Sequence, residues 1–312
     1  MSAYPSLTDA QVQSFLENGY FVVKQCVDPA LIKRFVDRGW ERLGYDPHNP
    51  ATWTKDIVWM KNESEVAIRD VAPRAWEALC ATVGGEDRLE TQVMDTPAKF
   101  YPVNSFNWSD ALIVNLRSSK PWSPPSPQSR GWHKDGGYFQ HFLDSPEQGL
   151  LTIVCWTDMR HQGGATFIAP DSVGVVARYM LEHPEGIAPN GFPVQDLLNQ
   201  CTRFEEVIAE AGDYVIIHPF MLHGSSQNAL GVPRIITNPP VWLKEPFNYH
   251  RANPADYSLV ERATLHALGV DHLDFAPAAP REGTWWPMES PETYVGEGAM
   301  GKKTLVGGEL VW

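Results

Sequence analysis

From about residue 98 onward the chain changes texture into short β-prone runs punctuated by turn residues, and this constrains the fold more than any other feature. Runs over residues 111–116, 132–135, 150–156, 165–168, 205–209, 214–217 and 234–243 are each too short for anything but strands. Most gaps between them cannot hold a full crossover helix, so the strands cannot be wound into a parallel sheet. Seven or eight such strands predict an antiparallel barrel or a double-sheet jelly roll. One helical insert is expected over 172–182.

The front third reads differently. Thr8-Asp9-Ala10-Gln11 has the form of a capping box, with Val12, Phe15 and Leu16 at helical spacing and a stop at Gly19. Tyr20-Phe21-Val22-Val23 is a strand candidate. Asp28-Pro29 supplies an N-cap and a first-turn proline for a helix through Leu43, and a third helix is expected from Pro73 to Val83, closed by Gly84-Gly85. Residues 1–97 are thus expected to be mainly helical support and 98–245 the β core. A C-terminal helix and a Gly-, Pro- and Trp-rich wrapping tail (Trp285, Trp286, Trp312) would complete a single domain over 1–312.

Within the β-rich part, His133-Lys134-Asp135 is followed far downstream by His223 and then Arg234. On a strand, side chains alternate faces, so His133 and Asp135 point the same way and Lys134 the other. A third ligand must come from a different strand. His223, after the apolar run Tyr214-Val215-Ile216-Ile217 and before Gly224-Ser225-Ser226, suits that place at a strand end facing a loop. Two histidines and one carboxylate form a facial triad that leaves positions on a ferrous ion open for a cosubstrate and oxygen. Arg234 adds a permanent, two-pronged carboxylate donor, which suggests a dicarboxylic cosubstrate.

Bulk properties exclude some alternatives. A net charge of −13 argues against nucleic acid or an anionic membrane as partner. No window resembles a membrane span and the first residues lack a signal pattern. The four cysteines are scattered without a Cys-x-x-Cys pair, so a cysteine-based zinc site is not expected, and Cys155 reads as a reduced core thiol of a cytoplasmic protein. His218 is expected to be a buried hydrogen-bonded residue rather than a ligand, while His141 and His161 are expected to be solvated. The run Lys120-Pro121-Trp122-Ser123-Pro124-Pro125-Ser126-Pro127 can be neither helix nor central strand. It reads equally as a lid over the pocket or as a connector.

Several segments resemble the phytanoyl-CoA dioxygenase-like family. They are Trp132-His133-Lys134-Asp135-Gly136-Gly137-Tyr138-Phe139, the run Gly163-Gly164-Ala165-Thr166-Phe167-Ile168-Ala169-Pro170-Asp171-Ser172, Gly212-Asp213 through His223-Gly224-Ser225, and Arg234. The opening Asn18-Gly19-Tyr20-Phe21-Val22-Val23 between two helices is also similar. The resemblance implies a double-stranded β-helix (jelly-roll, cupin-like) core, Fe(II), and 2-oxoglutarate as cosubstrate, consumed with O2 to give succinate and CO2. It implies that His133, Asp135 and His223 bind iron, that Arg234 pairs with the distal carboxylate of 2-oxoglutarate, and that Ser225 hydrogen-bonds to it. Asn115 and Trp156 are looser candidates for the cosubstrate pocket, and Trp132, Tyr138 and Phe139 for the substrate pocket. Related halogenases carry a small residue where this chain has Asp135, so oxygenation is implied instead. The substrate is expected to be a small organic molecule, a secondary metabolite or lipid-like compound, hydroxylated or else desaturated or cyclised. Two other readings stay open on the residues alone: a cupin-like hydrolase or isomerase holding zinc or another divalent ion, and a catalytically silent jelly-roll binding protein.

Overall fold

A computed structural model describes residues 4, 6–90, 104–137, 139–281, 304–306 and 309–311. The helices are α1 (Asp9–Asn18), α2 (Pro29–Leu43), α3 (Ile68–Val71), α4 (Pro73–Val83), α5 (Ser172–Glu182), α6 (Val194–Leu198) and α7 (Leu259–Leu268). The strands are β1 (Tyr20–Val23), β2 (Ile57–Trp59), β3 (Glu65–Ala67), β4 (Asn107–Ser109), β5 (Ile113–Asn115), β6 (Leu151–Cys155) and β7 (Thr166–Ala169). They continue as β8 (Glu205–Val207), β9 (Tyr214–Ile217), β10 (Leu222–Ser225), β11 (Arg234–Thr237), β12 (Thr304–Val306) and β13 (Glu309–Val311). The helix ends follow their sequence signals. Thr8 and Gln11 close the capping box of α1, Asp28 caps α2 ahead of Pro29, and Gly19, Gly44 and Gly84 end α1, α2 and α4 in left-handed backbone.

The strands form a large sheet in the order β1-β9-β6-β11-β5-β2-β13-β12 and a small sheet β10-β7-β8, with β3 and β4 paired separately. Every pairing is antiparallel. A single bridge between His133 and His223 adds a fourth chain segment beside β10. From β5 through the His133 segment to β11, the chain passes between the two sheets in the double-stranded β-helix winding, a mainly β core flanked by helices.

One face of the large sheet meets the small sheet. Leu151, Ile153, Cys155, Val215, Ile217 and Ile236 pack there against Ala165, Ile168 and Val207. The opposite face carries Val114, Val154, Trp156, Tyr214, Ile216 and Ile235 and is covered by helical residues that include Phe15, Leu31 and Phe35. These two layers place the functional residues, because every other residue of β5 and β11 points into the space between the sheets.

The front third, mainly helical, also contributes β2, three residues too few to show a pattern, which pairs with β5 inside the large sheet. Three expectations need correcting. The run from Arg234 keeps its ladder only to Thr237, because Asn238-Pro239-Pro240 follows and proline has no N–H to donate. Residues 132–135 are not a strand: only His133 is bridged, and the chain then turns through Gly136 at φ +106°. His223 lies inside β10 rather than at the end of the preceding run, because a turn through His218 and Pro219 carries the chain from β9 to the other sheet. The expected tail tryptophans Trp285, Trp286 and Trp312 lie outside the described residues. Among the described residues, no helix is long and apolar enough to cross a membrane.

Candidate metal and cosubstrate site

His133 and His223 face each other across the bridge that joins their main chains, with N···O distances of 2.9 and 3.1 Å. Their ring centroids are 4.3 Å apart. Each ring has its Nδ1 against a main-chain carbonyl, Gly131 O at 2.8 Å and Met221 O at 3.1 Å. A carbonyl can only accept, so each Nδ1 carries the proton and each Nε2 keeps its lone pair for a metal. Both Nε2 atoms approach Asp135 Oδ1, at 3.1 Å from His133 and 3.6 Å from His223. One ligand atom from each residue lies within 4.8 Å of the others.

The electrostatics suit a divalent cation. Burial pushes the Asp135 carboxyl up, yet His223, His133 and Lys134 outweigh it and hold the group below the usual carboxylate range. Burial, helped by the neighbouring His133, lowers His223 to about 4, which keeps it neutral near pH 7. Two imidazoles, each tied through Nδ1 to a carbonyl, and one carboxylate converge to form a two-histidine, one-carboxylate centre, and that donor set fits Fe(II).

A second part of the site lies on the inner face of the large sheet. Arg234 pairs in register with Asn115, so both side chains enter the inter-sheet space. Arg234 is 1% exposed. Its Nε donates to Gly164 O at 3.0 Å, while Nη1 is buried without a hydrogen-bond partner. The amide O and N of Asn115 are likewise buried and unpartnered. Gly164 is required here: its φ is +78°, and a Cβ would come within 2.5 Å of Asn115 Nδ2. Burial without a facing carboxylate lowers the Arg234 guanidinium to about 10. An unpaired buried cation costs several kcal/mol, so this arrangement is built for an anion. Gly164 also links Arg234 to the segment that pairs with β10 next to His223. Ala165 O accepts from Ser226 N, and the next residue, Thr166, pairs with Ser225, two positions from His223 on β10.

The other expected residues fall out differently. Ser225 lies on the His223 face of β10 and is exposed. Trp156 does not line the cavity. It stands on the outer face of the large sheet, stacked on Phe35 at 4.1 Å, and its Nε1 donates to Thr237 Oγ1 at 3.2 Å. Strand parity is the reason, since Cys155 and Arg234 take the inner positions. Trp132 is displaced for the same reason. His133 turns inward, so Trp132 turns outward against Phe167 and Phe204 and donates to Ser126 O at 2.9 Å. Phe139 is buried and packs on His141 with ring centroids 4.2 Å apart, and Tyr138 lies outside the described residues.

The Pro-rich segment runs along the outer side of the small sheet. Trp122 meets His161 edge-on at 4.6 Å, and Pro127 O accepts from Gln195 Nε2 at 3.2 Å. Of the other histidines, His218 is buried between Thr264 Oγ1 and Phe220 N, outside the cluster of His133, Asp135 and His223, and His161 is exposed and bonded to Glu206. His141 departs from expectation: it is 2% exposed rather than solvated. Its spacing of six from Asp135, between Phe139 and Phe142, was the available signal.

The sequence model of the phytanoyl-CoA dioxygenase (PhyH) family matches residues 15–236. The chain belongs to that family. The human peroxisomal phytanoyl-CoA dioxygenase is 25% identical over 244 residues, covering 71% of this chain; the chain spans 64% of that relative's length. Solved structures with similarity include the epimerase SnoN from nogalamycin biosynthesis in complex with Fe3+, alpha ketoglutarate and nogalamycin RO. It is 15% identical with a TM-score of 0.42, over 75% of this chain and 82% of that one. Another is HygX from Streptomyces hygroscopicus with nickel, 2-oxoglutarate and hygromycin B bound, 14% identical with a TM-score of 0.40, over 76% and 88% of the two chains.

Proposed function

We propose that the protein is a dioxygenase that uses Fe(II) and 2-oxoglutarate to oxidise a small organic molecule, a secondary metabolite or lipid-like compound. One O2 is consumed: one oxygen atom enters succinate as 2-oxoglutarate loses CO2, and the other converts a substrate C–H to C–OH. Desaturation and ring closure draw on the same oxidising equivalent. The observation that carries this reading is the buried, unpartnered Arg234 Nη1 and Asn115 amide on the inner face of the large sheet, the face that meets the sheet carrying His223. A hydrolase or a simple binding module has no need of a desolvated guanidinium beside a three-ligand metal site.

His133, Asp135 and His223 would hold the iron, which supplies oxygen activation when bound. The remaining work falls to the chain. Gly131 O and Met221 O keep both imidazoles in the ligating tautomer. Arg234, with Gly164 O fixing its Nε, would take the distal carboxylate; Asn115 has an NH2 group and a carbonyl oxygen to add, and Ser225 a hydroxyl. Ile153, Ile168 and Ile236 make the space between the sheets apolar.

The test is anaerobic addition of Fe(II) and 2-oxoglutarate, followed by admission of oxygen. The reading expects a visible charge-transfer band and then succinate, both lost in His133→Ala. No band in the parent protein, or a His133→Ala variant that behaves like the parent, contradicts it.

A further inference from the structure

Of the three triad residues, Asp135 is the one without a β-ladder to fix it. His223 sits within β10 and His133 exchanges both main-chain hydrogen bonds with it, whereas Asp135 lies on the turn that follows. Two contacts pin that turn. Lys134 Nζ lies 3.2 Å from Asp135 O, and His141 Nε2 lies 2.9 Å from Gly136 O. Lys134 Nζ is also 3.1 Å from His141 Nδ1. A carbonyl only accepts, so Nε2–H donates to Gly136 O, and Nδ1 is left to accept from Lys134 Nζ. The tautomer of His141 is therefore set by its neighbours.

The ring is held as firmly as the turn it holds. Its main chain exchanges two hydrogen bonds with Ile187, at 2.8 and 2.9 Å, and its ring packs on Phe139 and, at 5.0 Å, on Phe192. Gly136 makes room for it: at φ +106°, a Cβ there would come within 2.4 Å of His141 Cε1. The segment bridged to His141 connects α5 and α6, and Asn190 Oδ1 would lie 3.5 Å from a Cβ on Gly137. His141 is thus the joint between that connection and the turn that presents Asp135.

We propose that His141 is a positioning residue for the metal centre, which through Gly136 O holds the Asp135 carboxylate at the point where the two Nε2 lone pairs converge. This inference rests on the metal-binding reading of the triad. Partners of this kind, one step behind the ligands, are worth about 10–100-fold in metal affinity.

Titration of the anaerobic apoprotein with Co(II), read from its visible absorption and without 2-oxoglutarate, tests the proposal on the parent and three variants. His141→Phe keeps the ring packing but can neither donate nor accept. His141→Asn stays polar but is too short to reach Gly136 O, and His141→Gln places an amide N–H near the Nε2 position. The Phe and Asn variants are expected to bind Co(II) about 10–100-fold more weakly, with far-ultraviolet circular dichroism unchanged. The Gln variant is expected to recover most of the loss. A folded Phe or Asn variant with parental affinity overturns the proposal, and so does a Gln variant no better than Asn. A parent protein that binds no Co(II) overturns the underlying metal reading instead.

Discussion

The two faces of the large sheet are built from the same strands to opposite ends. On the outer face Trp156 stacks on Phe35, its indole N–H reaches Thr237, and Val154 and Ile235 sit in continuous apolar contact with the helical layer. On the inner face of the same strands, Arg234 and Asn115 leave buried polar atoms unanswered. The outer face also leaves Tyr214 Oη without a hydrogen bond, but that group is uncharged, whereas the inner face leaves a desolvated cation, and this contrast separates stability from function. The outer face keeps the fold together, while the inner face carries an electrostatic cost that only a ligand offsets.

The comparison is broken most severely at the metal. Asp135→Ala should lower both Co(II) affinity and succinate formation by at least a hundredfold, since even outer partners of metal ligands cost about 10–100-fold. Thermal unfolding of the apoprotein should hardly change, because the residue belongs to the side that does not hold the fold. A large fall in stability without loss of metal binding would erase the distinction.

Trp156→Ala tests the opposite side. Deleting a buried tryptophan should cost about 3–5 kcal/mol in urea unfolding, while the folded protein keeps its affinity for 2-oxoglutarate. Lost cosubstrate affinity at unchanged stability would return Trp156 to the cavity wall.

The smallest effect is set by pH. Burial depresses His218 from 6.5 to about 3, so the folded protein refuses a proton that the unfolded chain accepts. The contribution is intact above pH 6.5 and is lost as pH falls toward 3, at up to about 1.4 kcal/mol per pH unit. In His218→Gln the fall in unfolding free energy between pH 6 and pH 4 should be shallower by about one proton. Identical slopes would show that His218 is not held neutral.

Much of this arrangement is written locally. The caps at Thr8, Asp28 and Gly84 and the apolar run of β9 act within a few residues, and their elements begin and end where those signals stand. The clustering of His133, Asp135 and His223 was legible because few residues of the chain offer such donor types in that spacing. The roles expected of Trp132 and Trp156 failed because parity tells only that neighbours face opposite ways. Which face is interior depends on the second sheet. The burial of His141 was signalled only by its apolar neighbours Phe139 and Phe142, since it depends on a main-chain bridge to Ile187, far along the chain. Strand β2 is three residues long and takes its place only because β5 offers it an edge.

The central claim is that the inner face waits for a dicarboxylate at Arg234. Calorimetric titration of 2-oxoglutarate into the Mn(II)-loaded protein, compared with Arg234→Met and with pyruvate as the ligand lacking the distal carboxylate, tests it most directly. Removing one partner of a buried charge pair costs about 2–5 kcal/mol, so the variant should bind 2-oxoglutarate at least about thirtyfold more weakly. Its apoprotein should be no less stable than the parent. Pyruvate should bind parent and variant alike. Equal 2-oxoglutarate affinity in the parent and Arg234→Met would contradict the account.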